Sequence, residues 1–130
     1  MEFLNPPDWP RPKGYSNGIS ASGRLVLTAG VVGWTKDEKF EALDMAGQFR
    51  QALLNIVAIL AAGNARPEHV VRMTWFITDK KEYLESVREI GGIYREIMGK
   101  HFPVMAVVHV SGLMEDEAKV EIETTAVVPE

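Results

Sequence analysis

Two stretches of helical periodicity, one on each side of a β-branched run, constrain this 130-residue chain more than any other feature. Met45, Phe49, Ala52, Leu53, Ile56, Val57 and Leu60 recur at the i, i+3, i+4 spacing that lines one side of an α-helix. Asp44 stands where an N-cap side chain accepts a free backbone N–H, and Gly63 stands where the chain leaves the helix. The second stripe comprises Tyr83, Leu84, Val87, Ile90, Tyr94, Ile97 and Met98. Asp79 and Glu82 precede it with capping-box spacing, and Gly99 ends it. Gly91-Gly92 interrupts this second helix at about 1 kcal/mol per glycine relative to alanine, which implies close packing or reserved space. Between the helices, HVVRMTWFIT has the β-branched and aromatic content of a strand.

Strands flank this unit on both sides. Ile19 to Ala21 and Arg24 to Thr28 read as a pair joined by a tight turn at Ser22-Gly23. The Pro-rich start through Gly14 reads as extended. FPVMAVVHVSGLMEDEAKVEIETTAVV reads as two strands around an acidic turn. The order is β-β-α-β-α-β-β, one α+β domain over residues 1–130. Two helices cover only one face of such a sheet. Val120, Ile122, Thr124, Ala126 and Val128 alternate onto one face of the last strand, and Val104, Ala106, Val108 and Val110 onto one face of its partner. These are the expected core faces. Met105, Val107 and His109, with Glu121, Glu123, Thr125 and Val127, then form a second face too apolar for water. A second copy is expected to cover it, which places any pocket between subunits.

Composition narrows the function. The net charge of −4 argues against nucleic acid as a main partner, because phosphate binding is driven by clustered Lys and Arg. With no cysteine there is no disulfide, thiolate metal site or cysteine nucleophile. His69, His101 and His109 lie at no metal-ligand spacing, so no metal is expected. The polar, Pro-rich N-terminus is unlike a signal peptide, and no apolar run approaches the roughly 20 residues of a membrane span. A cytoplasmic protein without membrane contact is the expectation.

Several segments together carry a family resemblance: GYSNG, LVLTAGVVG, DMAGQFRQALLNIVAILAAGN, VVRMTWFITDKKEY and FPVMAVVHVSGL…KVEIETTAV. The chain resembles the Rid/YjgF family of reactive intermediate (imine) deaminases, also described as L-PSP endoribonucleases. The resemblance implies a ferredoxin-like or chorismate-mutase-like fold, two helices on one face of a mixed sheet, a homotrimer, and a ligand pocket at each subunit interface. It implies no cofactor. Tyr15, Gly30 and Glu121 match the family's site residues, with Ala29 where a serine precedes the glycine. Met105 stands at the position of the arginine that holds the substrate carboxylate, Val107 at that of a cysteine, and Gly91 at about that of an asparagine. A thioether offers no donor for a bidentate carboxylate pair.

The implied chemistry is hydrolysis of a C=N bond. Glu121 would take a proton from water and return one to the leaving nitrogen, Gly30 would position the nitrogen or the water, and Tyr15 would offer its hydroxyl or its ring. His109 is a further candidate, as base or replacement cation, and Trp34 is the better of Trp34 and Trp75 as a pocket residue. Two readings follow. One is an enamine or imine deaminase whose small-molecule substrate is not the usual α-imino acid, since Met105 makes the wall apolar. The other is a trimer of the same fold that binds a small metabolite without catalysis.

Overall fold

Asp44 and Asp79 fix where both helices begin. The computed structural model describes all 130 residues. Asp44 accepts from Gly47 N, and α1 spans Met45–Ala62, with Gly63 as its C-cap. Asp79 accepts from Glu82 N at 2.9 Å, and α2 spans Lys80–Met98, ended by Gly99 at φ +78°. The strands in chain order are β1 (Glu2–Leu4), β2 (Gly18–Ser20), β3 (Arg24–Leu27), β4 (Val31–Val32), β5 (Val70–Ile77), β6 (Val104–His109) and β7 (Val120–Val128). The main sheet runs β3-β7-β5-β6, with β4 also on β7. Only β5 and β6 are parallel. The expected order of major elements holds, with β1 and β4 as short additions.

The expected capping box is half made. Instead of returning to its own helix start, the Glu82 carboxylate reaches Met45 N at 2.8 Å and Lys119 Nζ at 2.6 Å. It therefore caps α1 and ties both helix N-termini to the residue before β7.

Ser22-Gly23 does not close a hairpin. β2 pairs with β1 (Phe3 opposite Ile19), while β3 pairs with β7 (Leu25 opposite Val127). Gly23 serves that second pairing: its φ is +145°, and a Cβ there would overlap the Val128 carbonyl. The N-terminus is thus paired to β2, not merely extended.

The helices lie on one face of the sheet around a continuous core. Phe49, Leu53 and Ile56 of α1, Met73 and Ile77 of β5, and Val120, Ile122 and Ala126 of β7 are buried in it. Phe49 meets Trp75 edge-on with ring centroids 4.8 Å apart. Helix α1 has the length and apolar composition of a membrane span, yet its stripe, Met45 through Leu60, is packed in this core.

Strand β6 presents the opposite face from that expected. Its parallel register sets Met105 beside Met73, Val107 beside Trp75 and His109 beside Ile77. Residues paired across strands share a face, so Met105, Val107 and His109 belong to the helix side. Val104, Ala106 and Val108 belong to the outer face. Both alternating sets of β6 are apolar, so periodicity alone did not decide between them; burial of Met73, Trp75 and Ile77 does. The expected apolar outer face survives with these different members. Leu25 and Leu27 are 58% and 61% exposed on it, beside Val127, Phe76 and Val108.

Candidate active site

Ser16 brings the N-terminal segment to the sheet. Its Oγ donates to the Phe102 carbonyl at 2.5 Å and its N–H to the Pro103 carbonyl at 3.1 Å, in register with Val104. Tyr15 is thereby set beside β6. Under it, between β5–β6 and α2, lies a cavity of about 370 Å³. Of the residues expected at the site, Tyr15, Gly91, Met105 and Val107 line it. Trp75, Tyr83, Tyr94 and Phe102 add aromatic walls, and Lys13 and Arg95 are its charged residues.

The glycine pair in α2 reserves space. A Cβ at Gly91 would meet only Arg95 Nη1, at 3.8 Å, and one at Gly92 would meet nothing within 4 Å. Tyr83, Val87, Gly91 and Arg95 form an i, i+4 row along the helix, so one helix side builds one cavity wall. Tyr94 donates its hydroxyl to the His101 carbonyl at 2.6 Å. Burial pushes both the Tyr83 and Tyr94 phenols above the ordinary value of 10.0, so both are neutral donors near neutral pH. Trp75 is 6% exposed, and its Nε1–H has no hydrogen-bond partner in the chain.

A second group lies across the sheet. Glu121 is half-buried on the outer face, opposite Val32 of β4 and Phe76 of β5. A Cβ at Gly30 would overlap its carboxylate, so the absence of a side chain there is what admits Glu121. Within the chain the sheet separates Glu121 and Gly30 from Tyr15, Gly91, Met105 and Val107.

Two candidates join neither group. Trp34 packs on Phe40 at 5.8 Å, and its carbonyl accepts from Asn55; Trp75, ranked below it as a pocket residue, is the one that lines the cavity. His109 is exposed, and its Nε2 lies 3.3 Å from the Thr78 carbonyl, away from the cavity lining. Arg95 and Lys13 were missed in the sequence. The signal for Arg95 was its i+4 spacing from Gly91. Lys13 carried none, because only the docking of Ser16 brings it near. Sharing Gly14, Tyr15 and Phe102, a neighbouring cavity of about 450 Å³ gathers Arg11, Lys100 and His101. The cations thus cluster in space although they are scattered in sequence.

Comparison with known proteins supplies the family. A 2-iminobutanoate/2-iminopropanoate deaminase of Salmonella typhimurium is 29% identical over 116 residues, covering 87% of this chain and 86% of the relative. A RutC family protein of Pyrococcus horikoshii is 30% identical over 118 residues, covering 90% of each. Among solved structures, the Rid family protein YyfB of Yersinia pestis, of unknown function, superposes with a TM-score of 0.85 at 26% identity, covering 98% of both chains. TdcF of E. coli, solved with bound serine, gives 0.69 at 28% identity, covering 98% of this chain and 99% of that one. The sequence model of the Endoribonuclease L-PSP family matches residues 10–128, and the chain belongs to this family, that of the Rid/YjgF proteins.

Proposed function

We propose that the protein is a hydrolytic deaminase of reactive imines or enamines, acting as a homotrimer in the cytoplasm. The observation that carries this reading is the division of the matching site residues between two faces of one sheet. Tyr15, Gly91, Met105 and Val107 line a cavity at the edge strand β6, while Glu121 and Gly30 lie on the uncovered outer face. One copy cannot bring the carboxylate to the cavity. Two copies can, if the outer face of one packs against the β6 edge of the next. Such packing also covers Leu25, Leu27 and Val108, and it removes an exposed sheet edge.

In the completed site, water attacks the C=N carbon. Glu121 of the neighbouring copy accepts the water proton and passes it to the nitrogen, giving a carbinolamine. It then takes the proton of the new hydroxyl and passes that to the same nitrogen, which leaves as ammonia as the C–N bond breaks and the carbonyl forms. The phenol of Tyr15 orients the substrate. The names of the relatives support this chemistry, and no step needs a metal or cofactor. The loss of the usual carboxylate donor at Met105 favours a second reading, a small-metabolite binder without turnover.

Two measurements test the proposal. Imines are generated in situ from alanine, leucine and phenylalanine by an amino-acid oxidase, and ammonia release is followed with and without the protein. Acceleration is expected, and its absence on every imine leaves the binding reading. In the second, Tyr15→Ala and Glu121→Gln chains, each expected to be strongly impaired alone, are refolded together. Recovered activity is expected, because mixed oligomers contain pockets with both wild-type halves; none would show that each site belongs to one chain.

A further inference from the structure

The cavity is unusual in its charge. In a chain of net charge −4, no carboxylate lines it, whereas Lys13 and Arg95 both do. The chain's ion pairs are Arg50–Glu96, Arg66–Glu68 and Lys119–Glu82; neither Lys13 nor Arg95 joins them. The Arg95 guanidinium also donates no hydrogen bond within the chain, although Glu96 beside it is paired with Arg50 at 2.6 Å. It lies beside Gly91, where an added Cβ would stand 3.8 Å from Nη1 and a longer side chain would extend toward it. A cation in the last turn of a helix has an electrostatic role without any ligand. That role does not explain an adjoining cavity free of acids, nor the bare Gly91 in its wall. Trp75, another lining residue, has a buried indole N–H with no partner in the chain.

We propose that this cavity binds a carboxylate-bearing ligand with a large apolar or aromatic body, held by Arg95 rather than by a residue at position 105. The planar guanidinium fork grips a carboxylate from α2, and Lys13 adds a second positive charge. Aromatic and aliphatic walls, including Tyr83, Phe102 and Met105, take the body of the ligand. A volume of about 370 Å³ far exceeds what a three-carbon acid fills, so size as well as charge selects the ligand. The inference rests on the same cavity as the proposed deaminase and specifies its substrate class: an imino acid with a bulky side chain. The thioether of Met105 then extends the apolar wall instead of leaving the site without a cation.

The test separates binding from turnover. Calorimetric titration uses 2-oxo-3-phenylpropanoate, the ketone product of the corresponding imino acid, with its methyl ester and pyruvate as controls. The parent should bind the aromatic acid at least about tenfold more tightly than either control. In Arg95→Gln, affinity for the acid should fall roughly ten- to a hundred-fold while the ester is unaffected. Adding Met105→Arg to that variant should restore acid binding, because a fork then returns from the opposite wall. Equal parent affinity for acid and ester, or undiminished acid binding by Arg95→Gln, overturns the proposal. So does Arg95-dependent binding of a single-stranded oligoribonucleotide that outcompetes the acid. Ammonia release is read in parallel. Arg95-dependent acid binding without hydrolysis of any imine sinks the deaminase and leaves this inference; hydrolysis indifferent to Arg95 does the reverse.

Discussion

Replacing Glu82 should unfasten three elements at once. Its carboxylate accepts from Met45 N at 2.8 Å and from Lys119 Nζ at 2.6 Å, while its own backbone N–H is held by Asp79. A hydrogen bond to a charged group contributes about 1.5–3 kcal/mol. The side chains of Lys119 and Glu82 are 35% and 24% exposed, so solvent screening brings each bond below that range, to about 1 kcal/mol. The negative charge at the start of α1 adds about 0.3–1 kcal/mol through the helix dipole. Glu82→Ala should therefore cost about 2–3 kcal/mol, and Glu82→Gln, which keeps a neutral acceptor for Met45 N, about 1 kcal/mol. For a chain of this size the first change lowers the melting temperature by about 6–15 °C. Urea unfolding at fixed protein concentration measures both, and a double-mutant cycle with Lys119→Met should return a coupling of about 1 kcal/mol. A coupling near zero, with Glu82→Ala costing under about 0.5 kcal/mol, would refute the view that this carboxylate clamps the helix starts together.

Three further outcomes are expected. Glu121→Gln should preserve assembly and melting temperature yet reduce ammonia release by about 10²-fold or more, as loss of a general base does; unchanged turnover would make Glu121 structural. Gly92→Ala should stabilise α2 by about 0.5–1 kcal/mol, since nothing lies within 4 Å of the added methyl; destabilisation in thermal melts would mean that another copy packs against this glycine. Alkali should unfold the protein through Tyr94, whose phenol burial raises above its ordinary value of 10.0. The stabilisation is complete below pH 10 and is lost above it at up to about 1.4 kcal/mol per pH unit, because only the unfolded chain releases that proton readily. A flat stability profile above pH 10, with Tyr94→Phe as the control, would contradict this.

Local chemistry made the helices legible. Asp44, Gly63, Asp79 and Gly99 mark ends that depend on a few neighbouring atoms, and the stripes between them repeat often enough to exclude other periods. The faces of β7 were equally plain, because Glu121 and Glu123 alternate with Val120, Ile122 and Thr124. Strand β6 offers no such contrast: Val104, Ala106 and Val108 are as apolar as Met105 and Val107, and only pairing with β5 ranks them. Gln48 shows another limit. It is fully buried in α1 because its amide accepts from Lys119 N at 2.7 Å and donates to the Glu117 carbonyl at 2.9 Å. No periodicity announces a polar residue whose partners lie about 70 residues away. The site was half legible for the same reason. Glu121 and Tyr15 stand in matching motifs; Arg95 was marked only by its spacing from Gly91, and Lys13 acquires meaning only when the N-terminal segment docks beside α2.

That docking has a temporal side. Residues 5–17 leave and rejoin the paired strands β1 and β2 as one excursion, and at its far end Ser16 is tied to the Phe102 and Pro103 carbonyls. Lys13, Gly14 and Tyr15 reach the cavity from this strap, with Gly14 turned to φ +78° beside the tie. Releasing the strap breaks two hydrogen bonds and leaves the helices, the main sheet and the core intact. Such a local opening lies at the low end of a protein's range of opening energies. For a ligand of the proposed kind held beneath Tyr15, opening of this short segment on the scale of loop motion would suffice for entry and escape, without the far slower unfolding of the domain. On that reading residence time and stability would be set by separate residues, and substitutions at Ser16 would tune the first without drawing on the second.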